Sequence, residues 1–275
     1  SDASRGRGYR TLSVTYLDRI LDAHRVAAAN DPRSIGSLMA SVDEMPATRA
    51  FRRALDDAEG IAVISEVKRR SPSKGDLLPG LNPVVLAREY ERGGASCLSV
   101  LTDEQWFGGS VADLQAAREA TSLPVIRKDF TVDARDVVDT RLMGADCVLL
   151  IAAALDDHEL SDFHALATEI GLDVLVEIHG EAELERALLV NATLIGVNQR
   201  DLVTFEVDQE RAVRIAPLMP CGVVRVAESG VRDAGDSAAL HGAGYHALLV
   251  GETLVTSGDP AAEIGKLRAV AQPDR

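Results

Sequence analysis

Pro124-Val125-Ile126-Arg127-Lys128-Asp129-Phe130 is a short apolar run that stops at a cation, an anion and an aromatic ring. A strand that loses its apolar character at its C-terminal end has left a core and entered a site. The same event recurs along the chain. Ile61-Ala62-Val63-Ile64-Ser65 runs into Glu66-Val67-Lys68, and Val174-Leu175-Val176 runs into Glu177. Leu194-Ile195-Gly196-Val197 runs into Asn198-Gln199-Arg200, and Val223-Val224-Arg225-Val226-Ala227 into Glu228-Ser229-Gly230. A solvated surface end accounts for any one of these, but not for all of them at the same phase of a repeat. If the strands are parallel and adjacent, these lysines, glutamates, asparagine and arginine converge on one face.

Outward from that strand the chain alternates short apolar runs with longer amphipathic stretches. Strands are predicted at 62–67, 97–101, 125–128, 147–151, 174–177, 194–197, 223–227 and 247–250. Helices are predicted to start near Pro83, Val111, Ala134, Asp157, Glu181, Gln209, Asp233 and Pro260. Spacings of about 20 to 30 residues suit βα units. Gly93-Gly94, Gly144 and Gly242-Ala243-Gly244 end helices just before apolar strands, as a left-handed C-cap requires. Asp156-Asp157 and Asp259-Pro260 offer helix-start signals. Strands of β-branched residues and Leu without alternation are buried on both faces. Eight parallel strands close most naturally into a (β/α)8 barrel. The alternative, an open doubly wound sheet, would carry a Gly-rich nucleotide loop after its first strand, and none stands there.

The first 60 residues precede the barrel and have little core of their own. Val14, Leu17, Ile20, Leu21 and His24 share one helical face, and Pro32 is expected to open a second helix with Ile35 and Leu38. Residues 1–275 are thus read as one barrel domain, with 1–60 a helical extension packed on it. The polar, Gly-rich opening Ser1 to Gly8 reads as a frayed tail or a leftover of expression.

With 275 residues, 46% of them hydrophobic, the chain can build one large core. No apolar run reaches the roughly 18 residues that span a bilayer, so a cytoplasmic protein without membrane association is expected. The formal charge of −14 argues against nucleic acid as a partner. Lys68-Arg69-Arg70-Ser71-Pro72-Ser73-Lys74-Gly75 is a basic island in this acidic chain, suited to a small anion. Cys97, Cys147 and Cys221 lack the spacing of a zinc site or a disulfide framework. The six histidines, His24, His158, His164, His179, His241 and His246, show no metal spacing and are expected in packing or at the surface.

Several of these stretches together resemble one family. Ile64-Ser65-Glu66-Val67-Lys68-Arg69-Arg70-Ser71-Pro72-Ser73-Lys74-Gly75 is similar to the signature of indole-3-glycerol-phosphate synthase, as are Leu98 to Thr102 and Phe107-Gly108-Gly109-Ser110. So are Pro124 to Phe130, Val148 to Ile151, Leu175-Val176-Glu177, Ile195 to Leu202, Ala227-Glu228-Ser229-Gly230 and Leu249-Val250-Gly251-Glu252. The likeness runs in order through the whole chain from the first helix. It implies a (β/α)8 barrel with extra N-terminal helices. It also implies conversion of 1-(2-carboxyphenylamino)-1-deoxyribulose 5-phosphate to indole-3-glycerol phosphate, with release of carbon dioxide and water, in tryptophan biosynthesis. The family uses no metal or organic cofactor, and the only expected partner is a phosphorylated small molecule bound by a monomer.

Carried over residue by residue, the resemblance makes Lys128 the general acid on the ketone. Neighbouring Lys68 and Arg200 are expected to lower its pKa by like-charge repulsion. Glu177 is the candidate base, and Lys68 a second acid and partner of the substrate carboxylate. Glu66, Asn198 and Glu228 would orient the lysines and bind hydroxyls. Arg200 offers a fork of donors, Ser229 a secondary polar contact and Ser71 a further one. Pro72, Phe107, Phe130, Leu149, Ile151 and Leu249 would line a slot for the aromatic ring. Gly230, Gly251 and the N–H of Glu252 fall where loops after the last two barrel strands hold phosphate. Gln199, where the family usually has Asn, Ser or Ala, is a departure, and Trp106 either covers the slot or lies on a loop. The competing readings are another phosphosugar barrel enzyme, such as phosphoribosylanthranilate isomerase, and a non-catalytic phosphate-binding barrel. An isomerase wants Cys or Asp where this first strand ends in Glu66 and Lys68.

Overall fold

The structure is a computed structural model that describes residues 14–270, so the Ser1–Gly8 tail lies outside it. Eight parallel strands close into a barrel: β1 (Ala62–Val67), β2 (Cys97–Leu101), β3 (Val125–Lys128), β4 (Cys147–Ile151), β5 (Asp173–Ile178), β6 (Leu194–Asn198), β7 (Val224–Glu228) and β8 (Ala247–Val250). Each strand pairs with its neighbours in sequence, and β8 closes on β1 through Ala62↔Ala247 to Ser65↔Val250. The strands lie within one residue of the sequence expectation. Six helices begin at the expected residue; the one placed near Gln209 starts at Arg211, and Asp233 is the N-cap of the helix Ala234–Gly242. Gly94, Gly144 and Gly244 adopt φ of 86°, 91° and 95°, the left-handed conformation that ends the preceding helices.

Strand alternation decides which side chains enter the lumen. Ala62, Ile64, Cys97, Ile126, Cys147, Leu149, Leu175, Leu194, Val224, Val226, Ala247 and Leu249 form one buried cluster inside the barrel. The other phase of each strand packs outward against the helices in a second, larger cluster. Two residues beyond Ile64, Ile126, Leu175 and Val226, the same inward phase delivers Glu66, Lys128, Glu177 and Glu228. The lumen is therefore hydrocarbon for most of its depth and ionic at the C-terminal mouth.

Among the described residues three helices precede the barrel: α1 (Tyr16–Ala29), α2 (Ile35–Val42) and α3 (Phe51–Asp56). α1 lies over the C-terminal mouth. Thr15 and Asp18 form its capping box, Ile20 is buried, and Arg25 reaches Glu159 (2.7 Å) and the Ala154 carbonyl (3.1 Å). α2 packs on the helix Ala134–Leu142. It opens at Ile35 rather than at Pro32, because Ser34 supplies the cap by accepting the Ser37 N–H. α3 closes the opposite end, where Phe51 and Leu55 are buried against the lowest lumen residues. Its N-terminus has no side-chain cap of its own. Asp173, at the start of β5, accepts the Arg52 N–H at 2.8 Å, and Asp146 accepts the Arg49 N–H at 2.7 Å.

Candidate active site

A cavity of about 560 Å³ opens at the C-terminal mouth, and every candidate residue named from the sequence lines it. At its centre the Lys128 Nζ donates to Glu177 Oε2 (3.0 Å) and to Glu228 Oε2 (2.9 Å). Asn198 Nδ2 donates to the other Glu177 oxygen at 3.0 Å. On the first strand Lys68 Nζ lies 2.8 Å from Glu66 Oε1, and Ser99 donates to Glu66 Oε2 at 3.2 Å. The carboxylates are almost fully buried, so each must be paired to remain ionised.

The electrostatics of Lys128 differ from the expectation. Burial opposes its charge, but Glu177, Glu228 and Glu66 outweigh burial and hold its pKa above the ordinary lysine value. The like charges of Lys68 and Arg200 do not govern it, because β5 and β7 bring carboxylates closer. The two glutamates on Lys128 diverge. Burial raises Glu228, and Glu177 adds to the rise against the pull of Lys128. Burial also resists ionisation of Glu177, but Lys128 and His179 overcome it and lower its pKa. Two carboxylates around one ammonium thus titrate as a pair.

Space for this cluster depends on a residue without a side chain. A Cβ on Gly196 of β6 would lie 2.0 Å from Glu228 Oε1 and 3.3 Å from Leu175 Cδ1. Just beyond β7 the chain turns through two left-handed residues, Ser229 (φ 64°) and Gly230 (φ 76°). Gln199 Nε2 donates to the Ser229 carbonyl (2.8 Å), and Gln209 Nε2 to the Gly230 carbonyl (2.6 Å). Gln199 therefore braces this turn, with its side chain buried. Gly251 caps the short helix Glu252–Val255 on the neighbouring strand end.

The basic island divides. Arg69 forms a two-pronged pair with Asp113 at 2.8 Å, and Arg70 holds the carbonyls of Glu104 and Gln105. Lys68, Ser71, Pro72 and Lys74 face the cavity, and Lys74 pairs with Glu252 across it. The Glu252 carboxylate also lies 4.0 Å from Arg200. Phe107 and Phe130, 6.3 Å apart between ring centroids, flank the apolar side with Leu149, Ile151 and Leu249. Trp106 does not line the cavity; it meets Tyr16 of α1 edge-on at 5.2 Å.

Two histidines expected in packing or at the surface lie at this mouth. His24 of α1 is 2.9 Å from Asp103 Oδ2, and its ring lies 5.6 Å from that of Phe130. His179 is 3.4 Å from Glu177 Oε1. Each carried a signal in the sequence: His24 shares the apolar face of α1, and His179 follows Glu177 by two residues, hence on the same side of the strand. Gln209, Leu202, Phe205 and Val207 also line the cavity, from a loop whose sequence has no periodicity to place it.

A family model described as Indole-3-glycerol phosphate synthase matches residues 17–267. Among curated proteins, "Indole-3-glycerol phosphate synthase" of Hyphomonas neptunium is 45% identical over 254 residues, covering 90% of this chain and 96% of its own. The protein of the same name from Mycolicibacterium vanbaalenii is 48% identical over 257 residues (93% and 94%). That of Leifsonia xyli subsp. xyli is 47% identical over 269 residues (98% and 94%). Among solved structures, thiamine phosphate pyrophosphorylase from Pyrococcus furiosus superposes with a TM-score of 0.57 at 16% identity, over 76% of this chain and 94% of that one. That likeness concerns the barrel alone.

Proposed function

The chain belongs to the indole-3-glycerol phosphate synthase family, and from that membership we propose how its residues divide the family's reaction. It is a carbon–carbon lyase of tryptophan biosynthesis: it closes the ring of 1-(2-carboxyphenylamino)-1-deoxyribulose 5-phosphate, then expels carbon dioxide and water.

The observation that carries this reading is a lysine held between two buried glutamates, with an apolar slot on one side and the Ser229-Gly230 turn on the other. The substrate's phosphate enters at Ser229, Gly230, Gly251 and the Glu252 N–H, where the main chain offers donors. Its aromatic ring takes the slot of Pro72, Phe107, Phe130, Leu149, Ile151 and Leu249. Its carboxylate turns toward Lys68, and Arg200 offers donors to a hydroxyl or that carboxylate. Ser71 adds a polar contact at the edge of the slot.

As the ring carbon attacks the ketone, its oxygen becomes an alkoxide. An alkoxide is more basic than an amine, so Lys128 gives up its proton even from a raised pKa. Loss of carbon dioxide follows. Glu177 then takes a proton from the intermediate while Lys68 protonates the departing hydroxyl. Glu66, Asn198 and Glu228 aim these groups. No helix among the described residues is long and apolar enough to cross a membrane. The family's reaction supplies a phosphorylated small molecule as partner and suits an enzyme of the cytoplasm, and the formal charge of −14 disfavours nucleic acid.

Mixing purified protein with the substrate tests this, because the indole product fluoresces differently from the anthranilate. Lys128→Ala and Glu177→Gln are each expected to lower turnover by at least about 10²-fold. Phosphoribosylanthranilate should not be isomerised. Near-parent turnover in Lys128→Ala would refute its role.

A further inference from the structure

His179 follows β5 directly and sits between two carboxylates. Its Nε2 is buried, makes no hydrogen bond and lies 3.4 Å from Glu177 Oε1. Its Nδ1 lies 3.2 Å from Glu183 Oε2, and its backbone N–H donates to that same oxygen at 2.8 Å. A buried nitrogen left without a partner is uncommon. Protonated on Nδ1 alone, the ring would point a lone pair at Glu177; protonated on Nε2 alone, it would point one at Glu183. Only the imidazolium offers an N–H to each.

We propose that His179 is a positioning residue, held as an imidazolium by Glu183, whose charge keeps Glu177 ionised while Lys128 discharges its proton. Lys128 touches Glu177 on Oε2. Once that ammonium becomes a neutral amine, Glu177 has lost its main cation. Asn198 still holds Oε1 but carries no charge. Without a second cation the carboxylate would capture a proton before its own step arrived. His179 stands on the opposite oxygen and plays no part in the acid step. The ionisable groups facing it or its partner are Glu177, Glu183, Glu228 and Lys128. Burial opposes the imidazolium, but Glu183, Glu177 and Glu228 outweigh burial and raise its pKa. This proposal rests on the assignment of Glu177 as the base.

The test uses the whole enzyme with [δ-13C]glutamate, the Glu177 carboxyl resonance being identified by its absence in Glu177→Gln. His179→Gln keeps volume and a donor but removes the cation. In it the Glu177 titration and the acid limb of kcat should both move up by about one pH unit, with KM little changed. His179→Lys, which restores a charge, should return both toward the parent. A folded His179→Gln enzyme in which either fails to move overturns the proposal. So does a lysine variant that behaves like the glutamine one. Turnover retained by Glu177→Gln overturns the base assignment itself, and this proposal with it.

Discussion

Lys128 neutralises two carboxylates that are each about 2% exposed. Removing it leaves Glu177 and Glu228 facing one another without a cation. Lys128→Ala should therefore lose on the order of 3–5 kcal/mol of stability at neutral pH. The sign of its pH dependence follows. With the ammonium gone both carboxyls bind protons more tightly when folded than when unfolded, so the deficit shrinks as pH falls. Thermal unfolding of parent and variant at mildly acid and mildly alkaline pH checks this; a gap that widens on acidification would contradict it. Gly196 makes room for the same cluster. Gly196→Ala should displace the Glu228 carboxylate, lower kcat more than about tenfold and cost about 1–3 kcal/mol from overpacking. Parent-like kinetics would show that Glu228 yields freely. The sequence marked both charged glutamates as strand ends but gave the wrong sign for the Lys128 shift. It shows which cations stand nearby along the motifs, and hides the distances across the lumen that decide which charge is nearest.

α1 is fastened to the mouth by contacts that no local pattern announces. His24 meets Asp103 and Asp129, Tyr16 meets Trp106 and Phe205, and Arg25 meets Glu159. Burial opposes charge on His24, yet its hydrogen bond to Asp103 and the charges of Asp129, Asp103 and Asp136 outweigh it and raise the pKa from 6.5. A histidine with a raised folded pKa stabilises fully below its unfolded value and loses that contribution as pH rises through the folded one. Amide exchange in Tyr16–Ala29 should accordingly quicken, relative to the rest of the chain, as pH climbs above about 6.5. In His24→Gln that extra, pH-dependent loosening should vanish; its persistence would place the latch elsewhere. The long helices and all eight strands were legible because each spans a full period of its pattern. α3 and the helices Glu104–Phe107 and Glu252–Val255 were not, since four to six residues carry no measurable periodicity.

At the scale of the whole molecule the closed barrel could be read from the repeat of apolar runs together with the lack of a Gly-rich nucleotide loop after the first strand, and the convergence of its strand ends from their common phase. The route of residues 14–60 could not. This segment crosses from one end of the barrel to the other, and its partners all lie far along the chain: Asp103, Asp129 and Glu159 for α1, Asp146 and Asp173 for α3. On a ribosome these helices emerge before the barrel strands they pack against. Contacts so distant in sequence form late, because the intervening loop must close before they return any energy. A segment made before the barrel is then seated after much of it has formed, and until β5 has left the exit tunnel α3 lacks the Asp173 carboxylate that holds its N-terminus. In refolding followed by pulsed hydrogen exchange, the amides of α1 and α3 should gain protection after those of β1 to β5. Nascent chains arrested before Asp173 should leave Phe51 accessible to a protease or an apolar dye.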